Sequence, residues 1–207
     1  MKLYYSPGAC SIGTHVILEE IGKPYESQIV NLRGGEQFSD DFKKINSKSK
    51  VPVMLLDDGT SLTEWIAIAG YLAVTNPEAN LLPQDPLDWA RATEYMVHCN
   101  STMHGQGFAR IFRPERFTPS GDQDDQETVR GQGRRIFAEG FDLMNEGLNG
   151  RDWLLGHYSI ADAALFYVSF WADVRQAATM PPNVAAHYAR MKARPAVQRA
   201  LTIEGFA

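Results

Sequence analysis

The chain has only two cysteines in 207 residues, and Cys10 and Cys99 lack the close spacing of a thiolate ligand set. Its five histidines include no His-x-x-x-His pair, so no metal site is expected. No run of about 18 apolar residues is available to span a bilayer, and no signal-peptide core follows Met1-Lys2-Leu3-Tyr4-Tyr5. The expected compartment is the cytoplasm, where a structural disulfide is disfavoured and each thiol is judged alone. A basic surplus is missing too: 20 Lys and Arg against 25 Asp and Glu leave a net charge of -5. That excludes general attraction to nucleic acid or to an anionic membrane, although a local cationic pocket stays open. Repeats, heptad arrays and low-complexity tracts are absent. What is present is 44% apolar residues, enough for a substantial core.

The apolar pattern changes character along the chain. Lys2-Leu3-Tyr4-Tyr5 reads as a strand, Ser6-Pro7-Gly8-Ala9 as a loop, and Ile12, Val16, Ile17 and Ile21 as one face of a helix that stops at Gly22 and Pro24. Residues 25–32 restore a strand, which completes a βαβ unit. Residues 33–50 are polar, with room for a short helix around Phe38, Phe42 and Ile45. Val53 to Leu56, Asp57-Asp58-Gly59 and Thr60 to Thr63 form a hairpin signal, and Trp65, Ile68, Ala69 and Leu72 a third helix. Proline-rich residues 76–86 read as a linker. Beyond them the spacing predicts helices over 87–112, 126–148, 160–178 and 184–201. The expected architecture is α/β plus all-α: a βαβ-then-ββα domain over residues 1–77 and a helical bundle over 87–207.

Four features carry chemistry or its positioning. Cys10, in Pro7-Gly8-Ala9-Cys10-Ser11, sits where the first strand passes to the first helix; free N–H groups and the helix dipole there favour a thiolate. Such a thiol serves as nucleophile, redox partner or hydrogen-bond donor, or is simply a small buried apolar residue. Val51-Pro52 precedes the third strand; a cis bond would leave the Val51 N–H and C=O free for an extended peptide ligand, whereas a trans bond would merely start the strand. Thr63-Glu64-Trp65 opens the third helix, where backbone N–H groups suit a carboxylate and Glu64 an ammonium, or where Glu64 only complements the dipole. Ser159-Ile160-Ala161-Asp162 is a capping box with Asp in place of Glu, a folding signal. His104, His15 and Cys99 are weaker candidates.

In this order the motifs resemble the glutathione transferase family, in particular its bacterial beta class. Lys50-Val51-Pro52-Val53, Phe112-Arg113-Pro114 and Gly156-His157-Tyr158-Ser159-Ile160-Ala161-Asp162 extend the likeness over essentially the whole chain. The resemblance implies a thioredoxin-like first domain, glutathione as co-substrate, no metal and a homodimer. It implies Cys10 and His104 as catalytic residues, with Tyr5, Lys50, Val51, Pro52, Glu64 and Trp65 beside Cys10 in the glutathione site. Phe112 and Trp171 would line the site for a small apolar electrophile. Three departures stand out: Trp65 replaces a small residue, leaving its backbone N–H to serve while the indole either crowds the pocket or points into the core; Asn46-Ser47-Lys48-Ser49-Lys50 replaces Asn-Pro-x-Gly, which is expected to loosen the loop or to let Lys50 meet a ligand carboxylate; and the run through His104 is one residue longer. A tyrosine-based mechanism through Tyr4 or Tyr5 ranks second. The expected reaction is conjugation in detoxification, with monothiol disulfide reduction through Cys10 beside it; the alternative is a non-catalytic ligand carrier or interaction scaffold, with Trp65 closing the pocket.

Overall fold

Four short strands build one sheet in the order β2-β1-β3-β4. The computed structural model describes all 207 residues, which divide into two compact units: Met1–Leu82 with Lys192–Ala207, and Pro83–Met191. In the first unit β1 (Lys2–Tyr5) leads into α1 (Ser11–Ile21), whose end is made by Gly22 at φ 71, its N–H bonded to the Leu18 carbonyl. That left-handed turn is open to glycine without a Cβ penalty. β2 (Glu26–Ile29) then returns parallel to β1, pairing Lys2 with Glu26. The strand is shorter than the expected 25–32.

α2 (Asp40–Ile45) begins at Ser39, whose hydroxyl accepts the Phe42 N–H, and carries acidic residues in its first turn and lysines in its last, as the helix dipole favours. β3 (Val53–Leu55) and β4 (Ser61–Thr63) add antiparallel, with Leu3 opposite Met54 and Met54 opposite Leu62. α3 (Trp65–Val74) closes the ββα half. Tyr4, Val30, Phe42 and Val53 form a buried cluster on one face of the sheet. The βαβ–ββα thioredoxin-like architecture is the one expected.

In the second unit α4 (Pro86–Val97) starts at Asp85, whose carboxylate accepts the Leu87 and Asp88 N–H groups. It continues through a π-helical stretch (His98–Phe108) into α5 (Ala109–Phe112). α6 (Gln123–Gly147) crosses that stretch at glycines: a Cβ on Gly133 would lie 2.7 Å from the Gly107 carbonyl oxygen. α7 (Ile160–Val174) is buried over almost its whole length. At its start the Ser159 hydroxyl accepts the Ala161 N–H and the Asp162 carboxylate accepts the Ser159 N–H. Asp162 also accepts from the Leu154 N–H at 3.0 Å and from His187 Nε2 at 3.0 Å.

The end of the chain departs from expectation twice. Residues 184–201 are not one helix but α8 (Pro182–Ala193) and α9 (Pro195–Glu204), because Pro195 cannot continue the ladder. α9 packs on α1 in the first unit, although the sequence pattern places it with the bundle over 87–207. Amphipathic spacing defines a buried face without naming what covers it. No helix is long and apolar enough to cross a membrane.

Candidate functional site

The loop between β1 and α1 is tied locally. Ala9 N–H donates to the Ser6 carbonyl at 3.0 Å, and the Ser11 hydroxyl donates to the same carbonyl at 3.3 Å. Cys10 stands at the N-cap of α1, 8% exposed, and its thiol reaches the Val51 carbonyl with Sγ 3.6 Å from the oxygen. The Val51-Pro52 bond is cis. The expected helix-terminus thiolate does not prevail here. Burial pushes the Cys10 thiol up to about 12, and the Glu204 charge adds to the rise; the backbone N–H groups of Cys10 and Ser11 and the Lys50 ammonium only moderate it. Desolvation of a sulfur anion outweighs a few dipoles. A thiol held that high is protonated at neutral pH and able to donate.

The segment before Pro52 is not loosened by its unusual sequence. The Asn46 side chain accepts the Lys48 N–H at 3.1 Å and donates to the Lys50 carbonyl at 2.8 Å, while Ser49 takes φ 56 without being glycine. Lys48 then reaches Glu64: Nζ is 2.7 Å from Glu64 Oε1 and 2.9 Å from Thr63 Oγ1. The Lys48 bond and charge, helped by Lys50, hold the Glu64 carboxyl below its usual range. The pair sits at the mouth of α3, a cation and an anion side by side. Lys48 escaped the sequence reading as a site residue because its meeting with Glu64 spans the loop and the hairpin.

Trp65 is 2% exposed and shares the buried face of α3 with Ile68, Ala69, Leu72 and Ala73. Of the two readings, an indole that crowds the pocket or one that points into the core, the structure shows the second. Tyr5 is likewise buried, its ring edge-on to His15 with centroids 4.4 Å apart. Burial, then the Glu204 charge, raises its phenol above the ordinary tyrosine range. This gives Tyr5 a packing position rather than that of a ready thiolate donor. Lys50 is exposed, with its charge felt by both Cys10 and Glu64.

The second unit brings the other three candidates together. His104 lies edge-on to Trp171 with centroids 4.7 Å apart, Trp171 stacks on Phe108 at 4.1 Å, and Phe108 stacks on Phe112 at 5.6 Å. Tyr167 flanks His104 and Trp171. Phe112 is the outer, exposed rung and Trp171 the buried one. Phe108 was missed, though its i, i+4 spacing between His104 and Phe112 was the signal for it. The π-helical geometry, seen in the Ala109 N–H to His104 carbonyl bond, is how a helix absorbs an extra residue. No three His, Cys, Asp or Glu side chains converge where a metal ion could sit.

Comparison with known proteins agrees with this geometry. Residues 8–75 match the model of the glutathione S-transferase N-terminal domain, and residues 115–190 that of the C-terminal domain. Glutathione S-transferase GstA of Escherichia coli O157:H7 is 38% identical over 209 residues, covering 99% of each chain. Among solved structures, a glutathione transferase homologue from Sulfitobacter with bound glutathione aligns with TM-score 0.88 and 30% identity over 100% of this chain and 98% of its own. The bacterial beta class glutathione S-transferase of Sphingomonas chungbukensis aligns with TM-score 0.84 and 30% identity over 100% of both. With full-length identity, both domain models and the thioredoxin-like-plus-helical fold in agreement, this chain belongs to the glutathione S-transferase family of enzymes.

Proposed function

We propose that the chain conjugates the glutathione thiolate to small apolar electrophiles, with glutathione held by the first unit and the electrophile by the aromatic ladder of the second. The observation that carries this reading is the Lys48–Glu64 pair at α3 together with the Cys10 thiol on the Val51 carbonyl. An α-amino acid head bears an ammonium and a carboxylate, which Glu64 and Lys48 match in sign. Val51 offers backbone pairing to a cysteinyl residue. The protonated Cys10 thiol then donates to the incoming sulfur and stabilises it as an anion.

Glutathione's own thiol resembles free Cys, with a pKa of about 8.5, and a fall of two units corresponds to about 2.7 kcal/mol. With an aryl chloride activated by nitro groups, the thiolate sulfur adds to the carbon bearing chlorine, the C–S bond forms, chloride leaves and the thiol proton passes to solvent. His104, Phe112 and Trp171, with Phe108 between the last two, supply the apolar surface. Tyr5 packs edge-on to His15. The same reading carries a cytoplasmic homodimer. Disulfide reduction is the lesser activity, since a thiol held near 12 is a poor attacking group at neutral pH. The carrier reading loses its main sequence support because the Trp65 indole is buried.

Calorimetric titration of reduced protein with glutathione, followed by the aryl chloride assay, tests the proposal. Saturable binding at one site per chain with turnover is expected. Binding without turnover on any activated electrophile would favour the carrier, and no binding would remove the reading.

A further inference from the structure

The arginines around the end of α5 differ in their partners. Arg110 is engaged twice: Nη1 donates to the Gln106 carbonyl at 2.8 Å, and the guanidinium lies over the Phe117 ring, 4.4 Å from its centroid. Arg116 is exposed, as is Glu115, the carboxylate of this turn. Arg113 is half-buried and makes no hydrogen bond or ion pair through its side chain; its guanidinium lies 5.9 Å from the centroid of the Phe112 ring. Pro114 sets that placement: it is buried, follows the end of α5 and leaves Arg113 outside the helical region at φ -139, ψ 63. Phe112 is the exposed rung of the aromatic ladder, within 11° of parallel to Phe108, which is within 15° of parallel to Trp171. A row of near-parallel aromatic faces thus ends in a cation whose N–H donors have no acceptor.

We propose that Arg113 determines substrate specificity: it receives a carboxylate on the rim of an aromatic electrophile whose ring lies against Phe112. The inference rests on the electrophile site proposed above and narrows its substrate class to apolar rings with one anionic substituent. A flat ring gains contact area against the ladder whatever its substituents. A carboxylate also pairs with the planar guanidinium fork, whereas an amide of the same shape brings no charge to it. Packing over Phe112 already restricts the guanidinium, so less side-chain freedom is lost when it pairs. A net charge of -5 repels anions at long range, so a preference for the anionic ring has to come from this local cation.

The test compares two pairs of rings on the full-length protein. Chlorodinitrobenzoate and chlorodinitrobenzamide, with the carboxylate or amide para to chlorine, report conjugation: the thiolate sulfur adds to the carbon bearing chlorine, chloride leaves and the thiol proton passes to solvent. Each kcat/KM is divided by the uncatalysed rate of that compound with glutathione, which removes the difference in intrinsic reactivity. Dinitrobenzoate and dinitrobenzamide have no leaving group; they report binding to the protein through quenching of tryptophan fluorescence and need no glutathione. In wild type the carboxylate should be favoured about fivefold in both measurements, with the gain in KM rather than kcat, as befits one partly exposed ion pair. Arg113→Met should bring the ratio to about one, and Arg113→Lys, a charge without the fork, should fall between. Raising salt from about 0.02 M to about 0.5 M should at least halve the wild-type preference. No preference in wild type, or one that survives Arg113→Met or high salt, would overturn the assignment. If Arg113→Met does not fold, Arg113→Lys and the salt series decide by the same criteria. Failure to conjugate either chloride would defeat the proposed function alone, because the dinitrobenzoate binding ratio still decides the role of Arg113.

Discussion

Glu64 adopts φ 72, ψ 124, a conformation that L side chains rarely take, just where its carboxylate meets Lys48. Such strain costs on the order of 1–3 kcal/mol and persists only where the surroundings enforce it. Glu64→Gly relieves it, partly offset by the greater freedom of the unfolded chain. We expect a gain of about 1 kcal/mol in denaturant-midpoint stability and a loss of at least about tenfold in glutathione affinity. A variant no more stable than wild type would show that the backbone there is unstrained. At Cys10 the sign of the shift sets the pH dependence. Because burial and Glu204 raise the thiol to about 12, the thiolate fraction grows through the whole alkaline range. Its alkylation rate should climb about tenfold per pH unit past about pH 9 with no plateau, and a plateau near neutrality would contradict the donor role.

The crossing of α6 over the π-helical stretch depends on missing side chains. A Cβ at Gly133 would meet the Gly107 carbonyl oxygen at 2.7 Å and Arg110 Cβ at 2.8 Å, whereas one at Gly131, two residues earlier on the same helix, would meet nothing within 4 Å. Gly131→Ala should therefore stabilise by up to about 1 kcal/mol through helix propensity alone. Gly133→Ala makes the same propensity gain but forces the helices apart, for a net loss of about 1–3 kcal/mol. Opposite shifts of the thermal midpoint in the two variants are the expected result. Equal shifts would mean that the two helices separate easily. The position of Phe108 in the aromatic ladder depends on this contact, since it also packs on Phe137 of α6.

Over the whole molecule the first unit is discontinuous in sequence, because α9 closes the face of α1. Ile12, Val16 and Ile17 of α1 and Val197 and Ala200 of α9 are all fully buried. Truncation after Met191 should uncover that core, and hydrogen exchange should show β1 and α1 losing protection together with glutathione binding. Retained protection of α1 would mean that the first unit folds without its last helix.

Much of this protein was legible from residue order. Strand alternation, the Asp57-Asp58-Gly59 turn, the Gly22 stop and the Ser159 to Asp162 capping box are local effects of backbone sterics and hydrogen bonding, and each acts within a few residues. The family motifs placed Cys10, Val51, Glu64 and the bundle aromatics in order along the chain. Tertiary structure decided what those residues experience. Burial, which depends on every neighbour, turned the expected Cys10 thiolate into a thiol, and the face of α3 placed Trp65 in the core. Pairings such as Lys48 with Glu64, Asp162 with His187 and Gly8 with Glu204 join distant positions. Hydrophobic spacing says that a face is buried and a charge needs a partner; only the packed chain chooses which face and which partner, because desolvation and short-range contact act between neighbours in space.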